Sequence, residues 1–339
     1  MSDAPARPAD LADLVRYSAR IGADPLLIQA AGGNTSVKAD GTMWIKASGT
    51  LLAEAERRDV FVPVDLEAMR AALATGEARA DRPVEFALGD GRLRPSIETS
   101  LHAVFPHRIV VHVHCVNTIA LAIRADAETA LAARLAGFDW AFVPYAKPGA
   151  TLARQVADAR GPATDVVVLG NHGLIVAAAG VAQAEALLDR VVAALAVAPT
   201  PAGAPDLSGL EALCAGSAYA VPPGEAPMHQ LGLEARRTAV ATGGSLYPDH
   251  VIFCGPGALA VDAVDALPGT DGPPFVIVPG KGALIRRDAD AGARALADCL
   301  GDVLTRLQPG AVPTYLTAAQ DAELMDWDAE KYRKALNAG

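Results

Sequence analysis

The sequence predicts an α/β protein built from a large N-terminal α/β domain and a smaller C-terminal α/β domain. Three observations carry that prediction. Up to residue 195, segments with apolar residues at helical spacing alternate with short β-branched, apolar runs. A Pro- and Ala-rich stretch, AVAPTPAGAPD at 196–206, then interrupts the pattern and reads as a linker. Beyond it, apolar runs that end in glycine lead into a long helical segment, the rhythm of a second α/β unit. A chain of 339 residues has room for both. The expected partition is 1–197 for the first domain, 198–243 for the linker and connecting helices, and 244–339 for the second domain.

In the first domain, ADLADLVRYSARIG (9–22) places Leu11, Leu14, Val15 and Ala19 on one side of a helix. Ser36–Val37–Lys38 and Met43–Trp44–Ile45–Lys46 read as two short strands, with Ala39-Asp40-Gly41 as the turn between them. A helix is expected to begin at Glu98 and run to Val104. Val110 to Val116 reads as a strand and Asn117 to Ile123 as a helix. Asp165 to Leu169 and Gly173 to Ala177 are strand-like runs broken by Gly170-Asn171-His172, and Ala182 to Leu195 is a long Ala/Leu helix. In the second domain, HVIFCGPG and PFVIVPGKGALI read as glycine-terminated strands, followed by a helix from Ala289 to Leu307. The glycines of GPGALA and VPGKGALI fit packing turns at strand ends. Neither matches GxGxxG opening a helix nor GxxxxGK[ST], so a nucleotide-binding role is set aside.

Composition narrows the function classes. The formal charge is −10 and no Lys/Arg-rich block stands out, which argues against nucleic acid and anionic membrane as main partners. Cys115, Cys214, Cys254 and Cys299 are widely spaced and form no CxxC, a pattern that suits a reducing compartment. The N-terminus lacks a basic start followed by an apolar core, and no stretch is apolar enough to span a bilayer. A cytoplasmic, soluble protein is expected.

The stretch RIVVHVHCVNTIALA (108–122) raises the chemical question. Residues i and i+2 of a strand point the same way, so His112 and His114 project together while Val111, Val113 and Cys115 face the other side. Unpartnered imidazoles in an apolar site cost a few kcal/mol. A metal ion supplies a partner for both; hydrogen bonds to backbone are the ordinary alternative. His172, in the Gly-flanked turn LGNHGLIV, is an odd imidazole in a tight turn and is the candidate third ligand. Glu98, in RPSIETSLH, is the candidate carboxylate, standing after Pro95-Ser96 near a helix start; a first-turn glutamate stabilised by the helix dipole is the plainer reading. His102 stands four residues on and can share a helix face with it. His107 reads as solvated, and His229 and His250 as structural. Gly32, Gly33 and Asn34 form a turn whose backbone N–H groups can approach an anion, and Ser48, Gly49, Thr50 and Ser96 add small hydroxyl and glycine groups. Two ordinary turns would look the same.

Taken in order, GGNTSVK, WIKASGT, PSIETSLH, VVHVHCVN, VPYAKPG and LGNHGLIV resemble the class II aldolase/adducin family over about residues 8 to 195. Within it they look most like the aldolase half of rhamnulose-1-phosphate aldolase/alcohol dehydrogenase fusion proteins. GSLYPDHVIFCGPG, FVIVPGKGALI and DWDAEKYRKAL resemble the extension that follows that half. The resemblance implies a three-layer α/β/α domain around a central mixed, largely antiparallel sheet, and a homotetramer. It implies His112, His114 and His172 as zinc ligands, with manganese, cobalt or iron as other metals for such a set. It further implies Glu98 as the acid/base that also reaches the metal, and Gly33, Asn34, Ser48, Gly49 and Ser96 as the pocket for a sugar phosphate. Two departures stand out. Ile97 replaces a second serine of fuculose-phosphate aldolases, and no tyrosine follows the HxH strand until Tyr145, so the usual proton donor to the aldehyde has no counterpart.

The implied chemistry is retro-aldol cleavage of a ketose 1-phosphate to dihydroxyacetone phosphate and a short aldehyde through a metal-stabilised enediolate. Sugar-phosphate 4-epimerases and acid-sugar-phosphate decarboxylases on the same scaffold share that logic. Non-catalytic adducin-like modules also have this fold, and that reading predicts loss of the metal ligands.

Overall fold

The computed structural model describes residues 5–89 and 92–326, so DWDAEKYRKAL lies outside the described residues from Trp327 onward. The chain forms two compact units, one made of residues 1–118 and 128–195, the other of 119–127 and 196–339.

The first unit is organised around a seven-stranded sheet. Its strands are β1 (Asn34–Ala39), β2 (Thr42–Lys46), β3 (Phe61–Asp65), β4 (Ile109–Val113), β5 (Trp140–Val143), β6 (Val166–Leu169) and β7 (Gly173–Ala178). They lie in the order β3-β2-β1-β4-β7-β6-β5. All neighbours are antiparallel except β5 and β6. The helices are α1 (Leu11–Gly22), α2 (Leu66–Thr75), α3 (Thr99–Ala103), α4 (Val116–Ala122), whose residues from Ile119 on belong to the other unit, α5 (Ala127–Ala132), which returns to this unit at Glu128, α6 (Ala150–Ala159) and α7 (Val181–Ala194). Helices cover both faces. Leu101 and Phe105, at and just after α3, and Leu152 and Val156 of α6 pack with Val110, Val167, Leu169, Ile175 and Ala177 on one face. On the other, α1 and α7 lie against each other and against β1, β4 and β7. This is the expected three-layer arrangement, with a mixed and largely antiparallel centre.

Local chemistry explains the elements. Ala39 pairs with Thr42, which leaves a two-residue loop of Asp40 and Gly41, both left-handed at φ +48° and +76°. That geometry matches the twist of a hairpin and favours Asp-Gly. Asp65 caps α2 by accepting from Ala68 N, and Gly76 ends that helix at φ +72°. Strand β4 is shorter than expected. It stops at Val113, and α4 begins at Val116, whose N–H donates to Leu26 O.

The second unit contains a four-stranded sheet, β8 (Tyr219–Ala220), β9 (Leu259–Ala260), β10 (Phe275–Val278) and β11 (Gly282–Arg286), ordered β8-β11-β10-β9. Its helices are α8 (Leu207–Cys214), α9 (Ala235–Thr242), α10 (Pro248–Cys254), α11 (Ala291–Arg306) and α12 (Ala318–Met325). Strands β10 and β11 form an antiparallel hairpin around Gly280 at φ +77°. One expectation fails here: HVIFC is not a strand but most of α10. All seven residues of this helix are buried, so its polar face is missing, and a run apolar on every side has no period to separate helix from strand. Pro248 at the first turn and Gly255 at φ +88° just past the end are the local helix signals. Among the described residues, no helix is long and apolar enough to cross a membrane.

Candidate metal centre

The centre is built on β4, between β1 and β7. In register, His112 faces Asn34 on one side and Ile175 on the other. Its ring is fully buried, with Nδ1 lying 3.0 Å from Leu174 O. A carbonyl only accepts, so Nδ1 carries the proton and Nε2 keeps its lone pair. That lone pair faces His114 Nε2 at 3.1 Å. His114 stands one residue past the strand, still on the same side. Two ring nitrogens at this distance, one of them unprotonated, are well served by a shared cation.

The third imidazole comes from the β6–β7 hairpin. Leu169 pairs with Gly173, and the loop between them holds Asn171 at φ +53°. This hairpin turns His172 back over the sheet end. Its ring centroid lies 4.9 Å from that of His112 and 5.2 Å from that of His114, with interplanar angles of 87° and 62°. The rings therefore meet edge-on around a common point rather than stacking. Their ligand atoms all lie within 4.8 Å of one another, and all three residues are buried. Gly173 makes this approach possible. A Cβ there would sit 2.5 Å from Val113 O, 3.2 Å from His112 Cε1 and 3.3 Å from His114 Cδ2.

Glu98 enters from the opposite wall, at the N-terminal edge of α3. Ser96 shapes the approach: its Oγ accepts from Glu98 N at 3.2 Å, and its carbonyl accepts from Thr99 Oγ1 at 2.6 Å. Glu98 Oε1 lies 3.3 Å from His172 Nε2 and 3.5 Å from His112 Nε2. Its Oε2 accepts a hydrogen bond from Asn34 Nδ2. Burial acts to raise the Glu98 carboxyl, but the imidazoles of His112, His172 and His114 outweigh it and hold the group well below the carboxylate range. Burial also drives His112 down to about 3 against the pull of Glu98. The centre thus sets an anionic carboxylate against three buried imidazoles, with burial holding His112 neutral. Three nitrogens and an oxygen suit a divalent cation of the zinc type. Oε1 of Glu98, buried and without a hydrogen-bond partner, supports that fit.

Of the residues expected to bind an anion, Gly33, Asn34 and Ser96 lie against residues of this centre, while Ser48 and Gly49 follow Lys46 along the chain. Gly33, at φ +62°, is pressed so closely to β4 that a Cβ would lie 2.8 Å from His112 O. Lys46 is buried; its Nζ donates to Ala31 O at 2.7 Å and Gly33 O at 3.1 Å, and its carbonyl accepts from Ser96 N at 3.1 Å. Two residues on, Ser48 N donates to Arg94 O at 2.8 Å. Lys46 therefore ties the Gly33 turn, the Ser48–Gly49 turn and the Ser96 segment together. Ser48 and Gly49 are half-buried, and Gly49 is left-handed at φ +76°. Asn34 turns its amide to Glu98, and its Oδ1 is buried without a partner.

Four contributors escape a reading for reactive side chains. Gly173 and Asn171 act through backbone shape, and Lys46 through carbonyls distant in sequence. Ser36 Oγ lies 2.8 Å from Nδ1 of the buried His102, a contact that needs the sheet in place. The i, i+4 spacing of Glu98 and His102 was the one available hint. His107 is half-buried rather than fully solvated. His229 is held between Pro223 O and Ala283 N, and His250 packs near Tyr247 and Phe275.

A family model described as the class II aldolase and adducin N-terminal domain matches residues 12–198. A Bacillus subtilis (strain 168) protein called uncharacterized oxidoreductase YuxG is 31% identical over 183 residues, 50% of this chain and 26% of that one. The chain thus spans about a quarter of that relative's length. Among solved structures, the N-terminal class II aldolase domain of a conserved Thermoplasma acidophilum protein is 27% identical with a TM-score of 0.49, covering 57% of this chain and 97% of that one. An L-fuculose 1-phosphate aldolase is 19% identical with a TM-score of 0.42, covering 57% and 86%. A Thermotoga maritima sugar-phosphate aldolase is 15% identical with a TM-score of 0.43, covering 55% and 93%.

Proposed function

Because this chain belongs to the class II aldolase and adducin N-terminal domain family, we propose that it is a divalent-metal-dependent aldolase. Its substrate in this reading is a ketose 1-phosphate of the rhamnulose or fuculose kind. The products are dihydroxyacetone phosphate and a short aldehyde. One observation supports this above the others: three buried imidazoles converge within 4.8 Å, with the Glu98 carboxylate in the same pocket. A non-catalytic module has no need of such a set.

In this reading His112, His114 and His172 hold zinc, and Glu98 reaches it. When bound, the cation supplies positive charge against the enediolate oxygen that carbon–carbon cleavage generates. The Gly33 turn, Ser48, Gly49 and Ser96 hold the phosphate and so fix which bond lies at the centre. Glu98, held anionic, accepts the C4 hydroxyl proton as the C3–C4 bond breaks and its electrons move into the C2 carbonyl. The same proton returns to C3 and completes the dihydroxyacetone phosphate. Asn34 steadies Glu98 through Oε2. We also read the N-terminal unit as akin to the aldolase half of the fusion proteins, and the active form as a cytoplasmic homotetramer.

Epimerisation or decarboxylation of a sugar phosphate would use the same groups. A panel of ketose 1-phosphates and acid-sugar phosphates, incubated with zinc-loaded wild type and Glu98→Ala, separates these outcomes by product. Two fragments from one ketose phosphate, lost in the variant, are expected. An epimer, released CO₂, or undiminished cleavage by the variant would reject the assignment.

A further inference from the structure

Helix α3 has only five residues, too few to hold together by itself, yet its N-terminal edge carries Glu98. Three alternate side chains of β1 grip this segment along its length. Asn34 Nδ2 donates to Glu98 Oε2. Ser36 Oγ meets His102 Nδ1 at 2.8 Å, with both residues fully buried. Lys38 Nζ donates to Phe105 O, and to His107 O at 3.1 Å. Two arginines complete the far end: Arg70 Nε donates to Ala103 O at 3.0 Å and Arg160 Nη2 to Val104 O at 3.0 Å. Carbonyls at a helix C-terminus have no partners within the helix, so these cations supply them.

The spacing makes the grip specific. Two residues along a strand advance roughly 6.6 Å. Four residues along a helix advance about 6.0 Å. Asn34 and Ser36 can therefore engage Glu98 and His102 at once, but only in one register of helix against strand. Strand β1 is hydrogen-bonded to β4, which carries His112. The Ser36–His102 contact is therefore a ruler between the carboxylate and the imidazoles.

We propose that Ser36 and His102 are positioning residues that set where the Glu98 carboxylate stands relative to His112 and His172. This deepens the aldolase reading and rests on it for the role of Glu98, though the placement itself does not depend on which reaction follows. The rival account is a buried histidine satisfied by a hydroxyl, with no bearing on Glu98.

A double-mutant cycle separates the two, because a residue that acts only through Glu98 has no effect once Glu98 is disabled. His102→Leu and Ser36→Ala are made in wild type and in Glu98→Gln. Two readouts are taken: zinc affinity by chelator competition, and kcat and KM on the best ketose 1-phosphate. In wild type, each substitution is expected to weaken zinc affinity or kcat by about 10-fold to 100-fold, as for partners that orient a metal-site residue. KM should move little. In Glu98→Gln the same substitutions should change neither readout by more than about 2-fold, the size of ordinary additivity error. His102→Asn, which can still present an amide to Ser36, should recover most of the loss. Equal losses in both backgrounds, or no loss in wild type, would overturn the proposal. If His102→Leu does not fold, Ser36→Ala carries the same comparison. A wild type that binds zinc but cleaves no ketose phosphate would defeat the functional reading alone, and the zinc cycle would still decide the positioning.

Discussion

Gly173 shows how much of the centre depends on what is missing. Its neighbours are the Val113 carbonyl and the rings of His112 and His114, and a single added methyl would press on all three. The 2.5 Å contact with the backbone carbonyl is relieved only by moving β4 or the β6–β7 hairpin, and the imidazoles they carry move with them. Gly173→Ala should therefore cost about 1–3 kcal/mol of stability, typical of overpacking. It should also weaken zinc binding by about 10-fold to 100-fold, as when a ligand's supporting contact is lost. Chemical denaturation and chelator competition on the same preparation read both. Zinc affinity equal to wild type would mean that the rings do not depend on this close approach. The histidines themselves were legible in the sequence, because an imidazole pair in a buried strand needs explaining. Gly173 was not, since its role lies in a distance to residues some sixty positions earlier.

At the scale of elements, the β6–β7 hairpin illustrates the same division. Its two strands were readable from VVVL and GLIVAA, and the turn from Gly-Asn-His. The conformation that aims His172 was not readable. Asn171 sits at φ +53°, where asparagine is tolerated and glycine is at ease, but other L residues lose roughly 1–2 kcal/mol. Asn171→Ala should lower stability by at least that amount and reduce zinc occupancy, whereas Asn171→Gly, free of the backbone penalty, should lose less of both. Thermal melts with metal analysis test this, and equal behaviour of the two variants would contradict it. Helix α10 marks the opposite case. HVIFC carried a misleading signal, because complete burial erased the polar face that distinguishes a helix from a strand. The α3 segment lies between these extremes. Its start at Glu98 was visible, but the β1 ladder that holds it needs residues more than sixty positions apart to meet.

For the molecule as a whole, the buried histidines predict how metal-free protein responds to acid. Burial pushes His102 down to about 3 and His250 down to about 4, both from an ordinary 6.5. A histidine depressed on folding contributes stability above its unfolded value and loses it as pH falls through the folded one. Asp298 has the reverse sign. Burial pushes it up to about 6 from 3.8, so its contribution is present at low pH and is lost as pH rises through about 6. Two histidines with the larger displacements outweigh one aspartate. The denaturation midpoint of metal-free protein should therefore fall as pH drops from about 6.5 toward 4. A flat or rising midpoint over that window would show that these imidazoles are not buried as described.

The proposed activity is a metal-dependent carbon–carbon cleavage at the three-histidine centre with Glu98 beside it. Its most direct test is the product stoichiometry of one ketose 1-phosphate, followed by NMR with zinc-loaded, chelator-stripped and zinc-restored protein. Dihydroxyacetone phosphate and aldehyde should form in equal amounts, stop when zinc is stripped, and resume on its return. Cleavage that continues at the same rate in stripped protein, or metal-dependent turnover that yields an epimer or CO₂ in place of two fragments, would contradict it.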